Sequence, residues 1–124
     1  STDADAVRRG RVGLAGDRAL KRGEVYLVPL DPTRGREMQK TRPCVVVSPD
    51  EMNARLRTAI VAPLTRTRRP FASRVNCRFS GIDGQVALDQ LRVVDFERVL
   101  RPLGRIDPLT QRFVLERLLA MFAP

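Results

Sequence analysis

The stretch EMQKTRPCVVVSP, residues 37–49, decides how this chain is interpreted. Its continuous apolar run predicts a buried β-strand from Pro43 to Val47. Arg42 stands immediately before this strand, and Pro43 restricts the backbone of Arg42 to extended conformations, which aims its side chain. A fixed cation at the start of a rigid strand suggests an anionic ligand such as phosphate. The alternative is an ion pair between Arg42 and a nearby carboxylate.

The length and composition predict one domain. At 124 residues and 43% hydrophobic content, the chain can fill one modest core. It contains neither an apolar run of the roughly 20 residues that span a membrane nor the apolar segment of a signal peptide, so we expect a cytoplasmic protein. Cys44 and Cys77 lie in separate strand-like segments and are predicted to be reduced core residues.

The net charge is +9, and every basic residue except Lys21 and Lys40 is arginine. Arginine presents a planar fork of donors that matches phosphate, and it stays charged at any accessible pH. This balance favours a polyanionic partner, of which nucleic acid is the usual one. The alternative is a general preference for arginine over lysine on solvated faces. Composition does not distinguish between a polyanionic partner and a general preference for arginine.

The chain contains no histidine. Catalytic arrangements that need an imidazole are therefore excluded, including a Ser-His-Asp triad, a Cys-His dyad and a histidine-containing zinc site. With only two distant cysteines, we predict no metal and no cofactor. Proton transfers in an enzyme of this composition must use carboxylates, hydroxyls, arginine, water or the substrate.

Short apolar segments in series predict a mainly β domain over residues 21–124, after a flexible leader at 1–20. The predicted strands cover 24–30, 43–47, 58–65, 73–79, 85–88, 91–94 and 101–106. A capping box at Ser48–Glu51 predicts a helix that runs to about Arg55, and a hairpin turn is predicted at Gly81–Gly84. A C-terminal helix is predicted with Asp107 as N-cap and Pro108 at its first position. Its apolar stripe consists of Leu115, Leu118, Leu119 and Phe122. This order indicates a small barrel-like antiparallel sheet with added helices.

Three residues at strand ends or in loops are candidates for chemistry. Arg42 precedes the second strand, Thr65 ends the third, and Glu37 lies in the loop between the first two. A cation, a hydroxyl donor and a carboxylate can together hold a phosphodiester and promote attack by a neighbouring 2′-hydroxyl. The plainer interpretations are an ion pair for Arg42, a β-branched residue at a strand end for Thr65 and a solvated loop carboxylate for Glu37.

Four blocks in order resemble the MazF/PemK (Kid) family of ribonuclease toxins: KRGEVYLVPLDP at 21–32, EMQKTRPCVVVSP at 37–49, APLT at 62–65 and DGQVALDQLR at 83–92. The resemblance covers residues 21–122. It implies an SH3-like barrel with a C-terminal helix, a homodimer and an antitoxin partner with an acidic disordered tail. It also implies metal-independent cleavage of single-stranded RNA (mRNA, or tRNA or rRNA) at a short motif, leaving 2′,3′-cyclic phosphate and 5′-hydroxyl ends.

The resemblance also assigns roles to single residues. Its catalytic positions fall on Arg42, Thr65, Glu37 and Asp89, although Asp89 can equally be a cap or turn residue. The residues expected to line the RNA path are Arg34, Arg36, Lys40, Arg66, Arg68 and Arg69, with Phe71 as the one candidate aromatic contact. Arg74 and Arg78 are expected to be plain surface residues.

The chain departs from the family pattern in two places. In the loop, Met38 and Lys40 replace a glutamine and a glycine, and Ala87 stands where some members carry a second catalytic arginine. Because of Ala87, the alternative remains that this chain is a relative that binds RNA or an antitoxin without cutting RNA. A gyrase-directed toxin of the CcdB type shares the fold but depends on a C-terminal tryptophan, which is absent here.

Overall fold

The computed structural model describes residues 19–30 and 40–124. The predicted leader up to residue 18 lies outside the described residues, as does the segment 31–39. Three candidate site residues, Arg34, Arg36 and Glu37, fall in that second segment, so their predicted roles stay predictions.

The described chain forms seven strands and two helices. In chain order these are β1 (Glu24–Pro29), β2 (Thr41–Val46), α1 (Asp50–Leu56), β3 (Thr58–Thr65), β4 (Arg74–Phe79), β5 (Ile82–Ala87), β6 (Arg92–Asp95), β7 (Arg101–Arg105) and α2 (Pro108–Met121). Single 3₁₀ turns at Leu88–Gln90 and Phe96–Arg98 flank β6. The predicted fold class, a mainly β antiparallel fold with a C-terminal helix, is confirmed.

The sheet is antiparallel in the order β4–β5–β3–β2–β1–β7, with β6 also paired to β3. On one edge β3 pairs with β2. On its other edge the first half, from Thr58 to Val61, pairs with β6, whereas its end at Leu64 and Thr65 pairs with β5. Because two strands share this edge in succession, the sheet curls around β3 into a half-barrel.

Alternating side chains build two hydrophobic clusters on opposite faces of the sheet. Tyr26 and Cys44 belong to the cluster that also holds Phe96. Val25 and Val45 belong to the other cluster, which α2 covers. The two cysteines are free and buried, as predicted. Burial raises the pKa of the Cys44 thiol to about 12 and that of Cys77 to about 11, so neither is a nucleophile near neutral pH.

The predicted start of α2 is confirmed, whereas its predicted apolar stripe is buried only in part: Leu118 packs against the cluster that α2 covers. The Asp107 carboxylate accepts a hydrogen bond from the Thr110 N–H at 2.8 Å, with Pro108 in the first turn. The buried positions are Thr110 and Val114. Leu119 and Phe122 are 75% and 71% exposed. The chain direction out of β7 sets which side of α2 meets the sheet, and helical spacing alone does not contain that information.

The predicted capping box at Ser48 is also wrong, because Pro49 is the N-cap and no side chain caps α1. The Ser48 hydroxyl instead donates to Oδ1 of Asn53 at 2.5 Å and accepts from the Ile60 N–H at 2.8 Å. Asn53 is fully buried, and its Nδ2 donates to the Leu20 carbonyl at 2.9 Å. Leu20 is itself a core residue, so packing begins earlier than the predicted end of the leader.

The hairpin between β4 and β5 turns earlier than predicted. Ser80 and Gly81 have φ angles of 53° and 78°, and Phe79 pairs with Ile82 across them. These are the features of a two-residue turn of the I′ type. The predicted turn residues Asp83 and Gly84 are part of β5. Gly84 is required there for space, because a Cβ at this position would lie 2.3 Å from the Thr65 carbonyl oxygen.

No helix among the described residues is long and apolar enough to cross a lipid bilayer.

We expect Gly84→Ala to destabilise the fold by roughly 1–3 kcal/mol, because the added methyl group must displace the backbone at the end of β3. The measurement is the free energy of unfolding from urea denaturation. Gly81→Asn is the matched control, since asparagine tolerates a positive φ and the space around Gly81 is open. Equal stability of the two variants would contradict the close approach of β5 to Thr65.

Candidate active site

Arg42 and Thr65 meet at the ends of two neighbouring strands. Strands β2 and β3 are antiparallel, and Cys44 lies opposite Pro63. The same register, continued by two residues towards the start of β2 and the end of β3, places Arg42 opposite Thr65. Both side chains are half-buried. Both also line each of two cavities. The structure therefore brings together the first two sequence-predicted catalytic residues.

The larger cavity, here called the apolar groove, has a volume of about 580 Å³. Its apolar lining comes from Pro43, Leu64, Cys77, Phe79, Ile82 and Leu103. Lys40, Arg42 and Arg66 add positive charge to the same cavity. Flat apolar surface beside fixed cations suits a nucleobase attached to a phosphate backbone.

The smaller cavity, here called the cationic pocket, has a volume of about 220 Å³. It is lined by Arg42, Pro63, Thr65, Thr67, Arg69, Arg74 and Gln90. Three arginines thus line a small space, and no carboxylate of the described residues lines it. Such a concentration of fixed donors is what an anion with several oxygens requires.

Arg42 has no carboxylate partner among residues 19–30 and 40–124. In the same part of the chain, Arg74, Arg78 and Arg105 are each paired with a carboxylate. The ion-pair alternative for Arg42 is therefore not found in the described structure. The guanidinium remains available for a ligand.

The Thr65 hydroxyl accepts a hydrogen bond from the Thr67 N–H at 3.1 Å. A hydroxyl has one proton to donate and two lone pairs to accept with. Since the described bond uses one lone pair, the proton is free to point into either cavity. Thr65 is thus oriented by its own loop and can donate to an anion.

A buried amide holds the basic loop that follows Thr65. The Gln85 side chain accepts from the Arg69 N–H at 3.0 Å and donates to the Arg69 carbonyl at 3.3 Å. It also donates to Oδ1 of Asn76 at 3.2 Å. Sequence reasoning missed Gln85. The signal that could have identified it is that Gln85 lies opposite Asn76 in the β4–β5 hairpin, so two amide side chains share one face. Arg66 and Arg68 are exposed on this loop, as expected of residues on an RNA path.

Arg74 is not the plain surface residue that the strand pattern predicted. Its side chain is only 7% exposed, and its Nε lies 2.7 Å from Oδ1 of Asp89. Asp89 also accepts from the Ser73 hydroxyl at 2.8 Å. The hydrogen bond from Arg74 is the main cause that lowers the pKa of Asp89 to about 2. Arg78, by contrast, forms an exposed pair with Asp83, as the strand pattern predicted.

Asp89 lies next to the cationic pocket and lines neither cavity. Phe71, the candidate aromatic contact, is half exposed, and the Arg74 guanidinium carbon lies 5.6 Å from its ring centre. Lys40 is exposed beside the apolar groove. In the described residues, no group of three or more histidine, cysteine, aspartate or glutamate side chains is arranged to hold a metal ion.

We expect Asp89→Asn to lower stability near neutral pH and to lose this effect in acid. The folded-state pKa of Asp89 is depressed from 3.8 to about 2, so its stabilising contribution is complete above about pH 4 and falls as pH drops through about 2. Urea denaturation between pH 6 and pH 2 should show the difference between the wild type and Asp89→Asn shrinking below about pH 4. Asp83→Asn, which removes an exposed ion pair, is the control and should change little. A constant difference across this pH range would contradict the pairing.

Comparison with known proteins matches residues 21–122 to the PemK-like, MazF-like toxins of type II toxin–antitoxin systems. The chain is 36% identical over 98 residues to endoribonuclease MazF9 of Mycobacterium tuberculosis, covering 71% of this chain and 83% of that protein. It is 37% identical over 105 residues to endoribonuclease PemK of Escherichia coli, covering 80% of this chain and 79% of that protein.

Among solved structures, the fold is similar to an endoribonuclease in complex with its cognate antitoxin from a mycobacterial species. The TM-score is 0.71 at 26% identity, and the match covers 86% of this chain and 98% of that one. The family match spans nearly all of the folded domain, and two relatives exceed 30% identity over most of their length. The chain therefore belongs to the PemK-like, MazF-like toxins of type II toxin–antitoxin systems.

Proposed function

We propose that this protein is a toxin endoribonuclease that cleaves single-stranded RNA at a short sequence motif in the cytoplasm. The observation that carries the proposal is that Arg42 and Thr65 line one small pocket together with two further arginines, Arg69 and Arg74. The names of its relatives, endoribonucleases MazF9 and PemK, support the same reaction class.

The proposed reaction begins with the scissile phosphate in the cationic pocket. The 2′-hydroxyl attacks phosphorus, a bond forms from O2′ to phosphorus, and the bond from phosphorus to O5′ breaks. The products are a 2′,3′-cyclic phosphate and a 5′-hydroxyl. A base removes the proton from the 2′-hydroxyl, and the departing O5′ takes up a proton. Glu37 is the proposed base, and the step is proposed to need no metal ion.

Arg42 and Thr65 act on the non-bridging oxygens of this phosphate. Negative charge on these oxygens increases in the pentacoordinate transition state, and fixed donors stabilise that charge more than they stabilise the ground state. Arg42 supplies a charge-assisted hydrogen bond, and Thr65 donates its free hydroxyl proton. Because both side chains come from rigid strand ends, little reorganisation accompanies the reaction.

The rest of the RNA follows the basic loops. Lys40, Arg66, Arg68 and Arg69, together with Arg34 and Arg36, are proposed to contact the phosphate backbone. The apolar groove accepts the base next to the scissile phosphate, with Phe71 as a further stacking surface. This arrangement makes backbone affinity electrostatic and leaves motif selection to the groove and the loops.

The proposed protein partners are an acidic antitoxin and a second copy of the chain. The +9 net charge favours an acidic segment that covers the RNA path, and related structures contain cognate antitoxins. Leu119 and Phe122 are exposed on α2, and apolar side chains in such positions support a packing partner in a homodimer.

We expect the purified protein to cut a mixed-sequence single-stranded RNA at one short motif in the presence of EDTA, leaving cyclic-phosphate ends. Removal of one transition-state donor costs about 10²–10³ in rate, so Arg42→Ala and Thr65→Ala should each reduce cleavage by at least about 100-fold. The measurement is cleavage with end-group analysis. Arg55→Ala, on the exposed side of α1, is the control.

Cleavage that requires a divalent cation would contradict the metal-independent step. Binding of RNA without any cutting by the wild type would instead identify a non-catalytic relative, the alternative that Ala87 keeps open.

We expect RNA affinity to fall steeply with salt. Six basic residues are proposed to contact the backbone, and each contact releases roughly 0.7 counterions from a single strand, so a plot of log affinity against log salt concentration should have a slope of about −4. Arg66→Ala should make this slope shallower by about 0.7, whereas Arg112→Ala on α2 should leave it unchanged. Affinity that does not depend on salt would exclude the proposed path.

A further inference from the structure

Arg74 lines the cationic pocket together with Arg42 and Thr65. In the pairing of β4 with β5, Arg74 lies directly across from Ala87. Residues that face each other in an antiparallel pair have Cβ atoms about 5 Å apart on the same side of the sheet. Ala87 is fully buried, and its small side chain leaves room for the stem of Arg74.

The Arg74 guanidinium is held in one orientation by three contacts. Nε and Nη2 donate to the two carboxylate oxygens of Asp89, at 2.7 Å and 3.3 Å. Nη1 donates to the Thr67 carbonyl at 3.4 Å. A guanidinium has five N–H groups, so these contacts leave one N–H on each Nη for a ligand.

The surroundings of Arg74 differ from those of Arg78, whose ion pair lies on the surface. Arg78 lies on the same strand and face as Arg74 and forms an exposed pair with Asp83 of β5, yet it lines neither the apolar groove nor the cationic pocket. Arg74 is largely buried, and it lines the pocket that contains the unpaired Arg42 guanidinium and the Thr65 hydroxyl. Two-point pairing to a carboxylate aims a guanidinium more rigidly than a single contact does.

We propose that Arg74 is a second catalytic cation that binds the scissile phosphate in the same pocket as Arg42, and that Asp89 acts by positioning Arg74. This inference rests on the proposed function. Arg74 transfers no proton and donates hydrogen bonds to a non-bridging oxygen whose charge increases as the O2′–phosphorus bond forms. Asp89 touches no RNA, and its effect on catalysis passes through the guanidinium.

The experiment is single-turnover cleavage at saturating RNA by the full chain. Arg74→Ala is expected to lower the rate by about 100-fold, as expected for the loss of one transition-state donor. Arg78→Ala is the matched control and should keep the wild-type rate. Guanidinium chloride at non-denaturing concentration should restore part of the rate to Arg74→Ala and none to Arg42→Ala,Arg74→Ala.

Asp89→Asn separates positioning from direct action. Alone, it should lower the rate by about tenfold, because Arg74 loses its charged two-point partner. Combined with Arg74→Ala, it should lower the rate no further than Arg74→Ala does. Additive losses in the double variant would overturn the positioning role of Asp89.

Two results overturn the proposal in distinguishable ways. If the wild type cuts RNA and Arg42→Ala does not, but Arg74→Ala matches Arg78→Ala, only the role of Arg74 fails. If the wild type does not cut, the proposed function fails and the role of Arg74 fails with it. Thermal unfolding shows whether Arg74→Ala is folded. If it is not, Arg74→Lys replaces it, and a wild-type rate in that variant would equally overturn the proposal.

Discussion

Strand β3 pairs with β2, β5 and β6, and the geometry of the site depends on this pairing. Its end at Thr65 lies against β5 so closely that only a glycine fits at position 84. The same end lies beside the start of β2, where Arg42 stands. Because backbone hydrogen bonds hold both strands, the backbones of Arg42 and Thr65 are fixed relative to each other, and the Thr67 N–H orients the Thr65 hydroxyl. The sheet thus sets where the two side chains begin.

The arginines around the cationic pocket are held in different ways, which suits them to different tasks. Arg42 has no carboxylate partner in the described part of the chain, so its full charge is available to a phosphate. Arg74 is paired with Asp89, which fixes the direction of its guanidinium. The backbone of Arg69 is held by Gln85. A pocket built this way attracts an anion strongly and still has a defined shape.

Local signals in the sequence predicted most of the strands because alternation and short apolar runs reflect burial within single segments. They also predicted the start of α2, since the Asp107 cap and Pro108 act within one turn. The failures share a cause. The Asp-Gly pair was assigned to the turn, although Gly84 is needed for its contact with β3 and Ser80-Gly81 makes the turn. Ser48 was assigned to a cap, although buried Asn53 takes its hydroxyl. In both cases a partner outside the local turn decided the outcome.

The sequence by itself determined the fold class, the family and the identity of Arg42 and Thr65 as candidates. It did so because strand patterning and the order of the four motif blocks are properties of the chain read along its length. Only the tertiary structure decided that Arg74 is buried, that it faces Ala87, and that it is paired with Asp89 fifteen positions further along. Such a pairing depends on strand register, and register is set by the packing of the whole sheet rather than by any single segment.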